Sequence, residues 1–529
     1  MHGHSGSGFG IDFGFALKHA LSVLVAGLNL SGHAHPNPTY ASSTHIRITS
    51  ENRMRLSQVD ETERSGVRLV HWAPLLLVLI AGCAHYEPQP LIPEALATNF
   101  EARSFTDAGL LRYVGQHAAA GSSHMDGWNL STLTLAAFYF NPDLDVARAR
   151  WGSVKAAEVT AGQRPNPVLQ LPFGYNSSAA AGMSPYLYGL ALDIPIETAG
   201  KRGYRIARAE QLTAAAQAQI SAVAWQVRNR LRNALLDLYA ADHEGAILRQ
   251  QESLQQRILT LMEQRLSLGA ASGPEVALAR GNWARTRIDT AQAASRAQAA
   301  RAAMASAIGV PLDAVSGLVI SFDTFDQMPP DDIGSEARRE AVLNRADLRA
   351  AWANYEASQA ALQLEIARQH PDIHIGPGYT FDAGQNKFSL SVSGISLPVF
   401  NRNEGPIGEA QARRKEAAAQ FTALQSQAIL DTEQAVQAYR SAQALLALGN
   451  ALQTTAERAL RSAGQAFDSG ETDRLALLSA QSSVEASRLA RAQAWVVVQR
   501  TVGQSENVLQ RPLAAADAQV LRPVMESPL

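Results

Sequence analysis

His370 and His374 stand four residues apart, the spacing that lets two imidazoles share a metal ion when they lie on one face of a helix. Their surroundings argue against that use. Ile373, Ile375, Tyr379 and Phe381 alternate with Asp372, His374, Gly376, Gly378 and Thr380, which is the period of a strand, and on a strand the two rings lie too far apart to ligate together. Asp193 belongs to a second alternating run and Ser389 and Ser391 to a third, so Asp193, Asp372, His374, Ser389 and Ser391 are all expected on small or polar strand faces. No Walker A loop, His-Glu-x-x-His segment or cysteine pair occurs, so neither an enzyme nor a resident metal or cofactor is expected. The one cysteine, Cys83, can form neither an internal disulfide nor a thiolate metal site.

The elements that position these residues follow from composition. At 529 residues and 46% hydrophobic, the chain can bury a large core, and whole-chain disorder is excluded. With 46 Lys and Arg against 48 Asp and Glu, it lacks the basic field that attracts phosphate backbones, so nucleic acid is not expected as a partner. Few aromatics, at 6%, and recurrent alanine runs such as Ala214-Ala215-Ala216 indicate close-packed helices.

Cys83 has its own context. Arg64 and Arg68 precede the apolar run Leu75 to Ala81, which is short for a bilayer span but suits the core of a signal peptide. The run ends Ile80-Ala81-Gly82-Cys83, which resembles a lipobox, whose cysteine is lipidated and becomes the first mature residue. Residues 1–53 then form a non-native or mis-assigned extension with Met54 as the true start, 54–82 the leader, and 83–129 the mature N-terminal segment. Ala84 follows where an Asp would resemble an inner-membrane retention signal, so sorting to the outer membrane is expected.

One unit is written twice. Asp143 to Pro167 parallels Asp347 to Pro371 at an offset of 204, and Ile194-Pro195 faces Leu397-Pro398. The units are placed at 130–320 and 336–510, followed by a tail at 511–529, and each reads as helix, two strands, very long helix, helix. From Lys201 to Leu268 no proline occurs, and Val227, Leu231, Ala234, Leu238, Ala241, Gly245 and Leu248 follow a coiled-coil 4-3 spacing. At the same offset the second seam is Ala435, Ala438, Ala442, Leu445, Gly449 and Leu452, with Gly449 equivalent to Gly245.

Strands are expected at about 168–175, 186–196, 372–381 and 387–397, each greasy on one face. Their length and period match outer-membrane barrel strands, although a half-solvated soluble sheet also alternates. Four strands cannot close a barrel, so a membrane location requires several chains to close one together.

With Pro165-Asn166-Pro167, the run Asp193 to Arg202, the run Leu397 to Ile407 and the turn Arg265-Leu266-Ser267-Leu268-Gly269, nearly all of residues 90–510 resembles the outer-membrane factors of tripartite efflux pumps, the TolC family. The resemblance implies a mainly α protein with membrane β structure: a homotrimer whose chains contribute four strands each to one 12-stranded barrel, continued by a periplasmic α-helical barrel. It implies a passive duct served by a periplasmic membrane-fusion adaptor and an inner-membrane resistance-nodulation-division pump, within outer-membrane lipid. It places adaptor docking on Arg265, Leu266, Ser267, Gly269 and Gly470, a tip aperture at Asp473, and strand-to-helix turns at Gly200, Lys201, Asn401, Arg402, Asn403 and Gly405. Asp193, Asp372, His374, Ser389 and Ser391 become lumen-facing residues that tune charged solutes. The Glu-Thr-Ala-Gly-Lys-Arg and Phe-Asn-Arg-Asn turns are most similar to the heavy-metal resistance lipoproteins of this family. Without the barrel, the same residues describe a lipid-anchored coiled-coil scaffold.

Overall fold

The computed structural model describes residues 85–117, 127–329, 339 and 345–513; the leader, Cys83 and residues 514–529 lie outside them. Two short helices, α1 (Pro93–Glu101) and α2 (Ala108–His117), precede α3 (Leu130–Phe140) and α4 (Pro142–Gly162). Then come β1 (Val168–Gln170), β2 (Phe173–Tyr175), β3 (Tyr186–Ile196), α5 (Lys201–Ser267), α6 (Gly273–Ile308) and the single turns α7 (Leu312–Val315) and α8 (Asp323–Asp326). The second half runs α9 (Ala346–Ala367), β4 (Ile373–Asp382), β5 (Gln385–Ser393), α10 (Glu404–Asp468) and α11 (Arg474–Leu509).

Helix lengths follow from helix breakers. α5 continues for 67 residues because no proline or internal cap interrupts it, a length of about 100 Å at the usual rise. Its hairpin partner α6 has 36 residues, and the second pair, α10 and α11, has 65 and 36. Asn141 caps α4 through Asp143 N–H and places Pro142 at the start of the helix, where its missing N–H is harmless. The Asn141 amide also donates to the Ala307 carbonyl at 2.8 Å, joining α4 to the end of α6. There Gly309 adopts φ 89°, and a Cβ would lie 2.7 Å from the Phe140 carbonyl oxygen, so a side chain is excluded by both conformation and space.

The main core gathers Leu133, Leu135 and Phe138 of α3 with Leu231 and Leu235 of α5 and Met304 and Ile308 of α6. α3 was not legible as a separate element, because nearly all of its residues are buried and it carries no amphipathic stripe.

The burial pattern corrects the register between the two seams. Val227, Leu231, Ala234, Leu238, Ala241, Gly245 and Leu248 are all buried, and adding 201 to each gives Ala428, Thr432, Ala435, Tyr439, Ala442, Leu446 and Gly449, also all buried. The expected Ala438, Leu445 and Leu452 fall off this line, with Leu445 and Leu452 exposed. Gly245 therefore matches Leu446, and Gly449 matches Leu248. The reason is that the offset, 204 at Pro167 and Pro371, is already 203 at Pro195 and Pro398, and α10 is two residues shorter than α5, so it falls to 201 along the helices.

Two compact units are distinguished. One contains, among the described residues, 85–96 with Phe173–Gly189 and Phe381–Gly384. Here β2 pairs antiparallel with the start of β3, Phe173 opposite Tyr188, and Tyr188 stacks on Phe381 with centroids 4.8 Å apart. The β4–β5 turn is Ala383-Gly384, both at positive φ, the geometry that matches hairpin twist.

The other unit holds the helices and the remaining strand segments. β1 pairs antiparallel with β3, Val168 opposite Asp193, and the sheet order is β1-β3-β4-β5. β3 occupies the expected span. The expected 168–175 strand is broken at Leu171-Pro172, where proline offers no N–H to the ladder, and the last strand ends at Ser393, since Gly394 at φ 75° turns the chain out of register before 397.

Candidate functional site

The two helical hairpins end in the same turn. At the end of α5, Gly269 at φ 72° donates to the Leu266 carbonyl and Ala270 N–H to the Arg265 carbonyl; at the end of α10, Gly470 at φ 79° donates to Phe467 and Glu471 N–H to Ala466. These are Schellman-type ends that require a left-handed residue, which glycine supplies. Ser267 Oγ is turned inward onto the Gln264 carbonyl at 2.7 Å, while Leu266 and Leu268 are exposed. The return helices are capped differently: Ser272 forms a capping box with Glu275, and Asp473 accepts from Ala476 N–H at 2.9 Å.

Arg265 and Asp473, assigned separate roles in the sequence, are brought together. Arg265 Nη1 lies 3.0 Å from Asp473 Oδ2, so the end of the first hairpin is bonded to the cap of the second. The Ala476 amide, and then the Arg265 guanidinium, hold the Asp473 carboxyl below the usual carboxylate range. Ala466 and Phe467 stand where the first turn has Arg265 and Leu266, so the second turn has no counterpart of this bond.

The strands bring a second group together. His374 Nδ1 and Asp193 Oδ1 are 2.9 Å apart, linking β4 to β3. On the same face Ser391 Oγ donates to the Gly376 carbonyl at 3.0 Å. A Cβ on Gly376 or Gly378 would come within 2.4 Å or 3.0 Å of Ser391 Oγ or Ser389 Oγ, so the polar face is built of close backbone and short side chains. His370 lies outside β4 and shares no ligand geometry with His374; among the described residues no group of three metal-binding side chains forms. The opposite face is apolar and exposed: Leu169, Phe173, Tyr175, Phe388, Leu390 and Val392 are each more than half exposed.

The strand-to-helix turns differ in what they hold. Gly200 and Asn403 are the left-handed N-caps of α5 and α10. Lys201 is 7% exposed; its Nζ bonds Asp372 Oδ1 at 2.8 Å and the His370 carbonyl at 2.7 Å. Thr198, not singled out from the sequence, adds its N–H to Asp372 Oδ1 and its Oγ1 to the Pro371 carbonyl. Asn403 Nδ2 donates to the Glu365 carbonyl at 2.7 Å, and Asn401 accepts from Asn403 N–H, while Arg402 and Gly405 are exposed.

A buried cluster was also invisible in the sequence. Glu506 Oε2 lies 2.8 Å from Arg228 and 3.3 Å from Arg232, all three at most 4% exposed. Burial works to raise the Glu506 pKa, but the two guanidinium charges outweigh it and hold the carboxyl below its usual range. No local pattern signals a contact 278 residues apart.

Among the described residues no helix is long and apolar enough to cross a membrane, which leaves β structure untouched by that test. The family profile described as "Outer membrane efflux protein" matches residues 137–310 and 337–509. The cobalt-zinc-cadmium resistance protein CzcC of Cupriavidus metallidurans is 25% identical over 304 residues, 56% of this chain and 71% of that one. The pyoverdine export outer membrane protein OpmQ of Pseudomonas aeruginosa is 23% identical over 404 residues, 71% of this chain and 85% of that one. Among solved structures, the outer-membrane channel OprN superposes with a TM-score of 0.61 at 20% identity, over 82% of this chain and 99% of the other. CusC superposes at 0.58 and 18% identity, over 72% and 91%. With both halves matched, the chain belongs to the outer membrane efflux protein (TolC) family: it is an outer-membrane exit duct of tripartite efflux systems, and not an enzyme.

Proposed function

We propose that three chains close one 12-stranded barrel in the outer membrane, continued by the long helices as a tunnel through the periplasm, and that the duct passes heavy-metal cations. The carrying observation is the two-faced sheet. An exposed face of Phe, Leu, Val and Tyr suits lipid, the Gly, Ser, Asp and His face suits a lumen, and the outer edges of β1 and β5 need partners if they lie in hydrocarbon. Similarity to a protein named for cobalt, zinc and cadmium resistance supports the cargo, and Asp193 on the polar face is compatible with cations, whereas Asp372 is already paired with Lys201 at the turn. OpmQ, named for pyoverdine export, supports an organic cargo as the second reading.

In this reading Arg265, Leu266, Ser267 and Gly269, with Gly470, dock a periplasmic adaptor that connects to an inner-membrane resistance-nodulation-division pump, and Asp473 lines the tip aperture. Residues 54–82 are a leader, Cys83 carries lipid as an additional anchor, and the repeats occupy 130–320 and 336–510. The test is a Cys83→Ser variant in washed outer membranes: the barrel predicts that detergent is still required for extraction, whereas release by carbonate alone contradicts it and favours the lipid-anchored scaffold. Cargo is tested by growth of a deletion strain on zinc, cobalt or cadmium, with sensitivity expected; sensitivity only to organic compounds reverses that assignment.

A further inference from the structure

We infer that the junction between neighbouring copies is specified by a salt bridge from Glu404 of one copy to Arg164 of the next. This rests on the trimeric barrel proposed above. Within one chain, the turn after the first hairpin grips the start of the second: Lys201 bonds Asp372 and the His370 carbonyl, and Thr198 holds Asp372 and Pro371. The sheet order leaves β1 and β5 as the outer strands, so closing a ring places the turn after β5 beside the start of the next copy's β1. The same relationship between copies sets Glu404 beside Asn166 and Val168, the counterparts of His370 and Asp372, two and four residues beyond Arg164.

The repeat gives the correspondence. Pro195 and Pro398 set Lys201 against Glu404, and Pro167 and Pro371 set Arg368 against Arg164. Arg368 is held within its own helix by Glu365 at 2.6 Å, but the position equivalent to Glu365 is Ala161, so this partner is missing from Arg164. Val168 stands in place of Asp372, so a lysine at position 404 would find no carboxylate there. Glu404 and Arg164 are both exposed in the single chain, and neither makes an ion pair or side-chain hydrogen bond among the described residues. Opposite, unsatisfied charges thus flank the two edges that closure must join. Glu404 also opposes mis-assembly, since set against Asp372 it would repel where Lys201 bonds.

The test compares wild type, Glu404→Arg, Arg164→Glu and the double variant Glu404→Arg/Arg164→Glu as full chains purified from membranes, reading oligomer lifetime in detergent by native mass measurement. Each single reversal sets like charges together and is expected to shorten the trimer lifetime about tenfold or more, with the double variant restoring it. A double variant no better than the singles, or singles matching wild type, overturns the pairing while leaving the trimer in place. A second readout avoids folding effects: chains carrying Glu404→Cys co-expressed with chains carrying Arg164→Cys are expected to cross-link only to each other, and their failure to do so in an intact trimer also overturns the pairing. A wild type that is monomeric overturns the underlying barrel reading instead.

Discussion

Arg265 and Asp473, 208 residues apart in sequence, meet through a 3.0 Å ion pair that fastens the end of the first helical hairpin to the cap of the second. The bond is exposed, so it is weak and screened by salt.

Breaking it should loosen the tip without affecting assembly. Asp473→Asn keeps a capping oxygen for Ala476 but loses the charge, so closed-state conductance in bilayers is expected to rise at low salt while trimer yield is unchanged. Because the folded carboxyl is held below its usual value, the wild-type bond is complete above about pH 4 and is lost as pH falls through the lowered value. Conductance independent of both the substitution and acidification would remove Asp473 from gating.

The buried Arg228–Glu506–Arg232 cluster makes a stability prediction. Glu506→Gln leaves two buried guanidiniums without a counter-charge and should cost about 3–5 kcal/mol, read as a lower urea midpoint. The same stabilisation is present above the ordinary carboxylate pKa of about 4.3 and is lost as pH falls through the lower folded value, so the variant and wild type should converge in acid.

The corrected seam predicts unequal glycines. At Gly245 an added Cβ meets the flexible end of Arg249 at 3.4 Å and Ala293 Cβ at 3.8 Å, so Gly245→Ala should be neutral or stabilising by up to about 1 kcal/mol, while Gly245→Leu collides with α6 and weakens assembly. At Gly449 the Cβ lies 3.2 Å from Arg491 Cα, which is backbone, so Gly449→Ala should destabilise. Thermal unfolding of the two alanine variants distinguishes them, and equal shifts would contradict the register.

The polar strand face predicts ion preference. Asp193→Asn removes a negative charge while keeping an oxygen within reach of His374, so the reversal potential in a salt gradient should move toward anions. An unchanged reversal potential would place Asp193 off the conduction path.

What was legible in the sequence was whatever is periodic over a short range. β3 was read at its observed bounds because Tyr186 to Ile196 alternates without a break, and the tip turns were read from Gly269 and Gly470, which only left-handed positions demand. Pro172 and Gly394 interrupt the neighbouring strands, each for a local reason, a missing N–H and a left-handed φ. α3 hid because it is buried all round, and the second seam was misaligned because a two-residue difference between α5 and α10 is silent in a pattern of alanines. Long-range polar contacts such as Arg265 to Asp473 and Lys201 to Asp372 have candidates in the sequence but no partners until the chain is folded, and for Arg228 and Glu506 the sequence marks neither residue.

Whether this chain forms a pore with its own copies is decided by single-channel conductance of the purified protein in planar bilayers, with oligomeric mass determined on the same sample. Discrete conductance steps from a trimer are expected; a folded monomer that passes no current would show that the chain forms no pore.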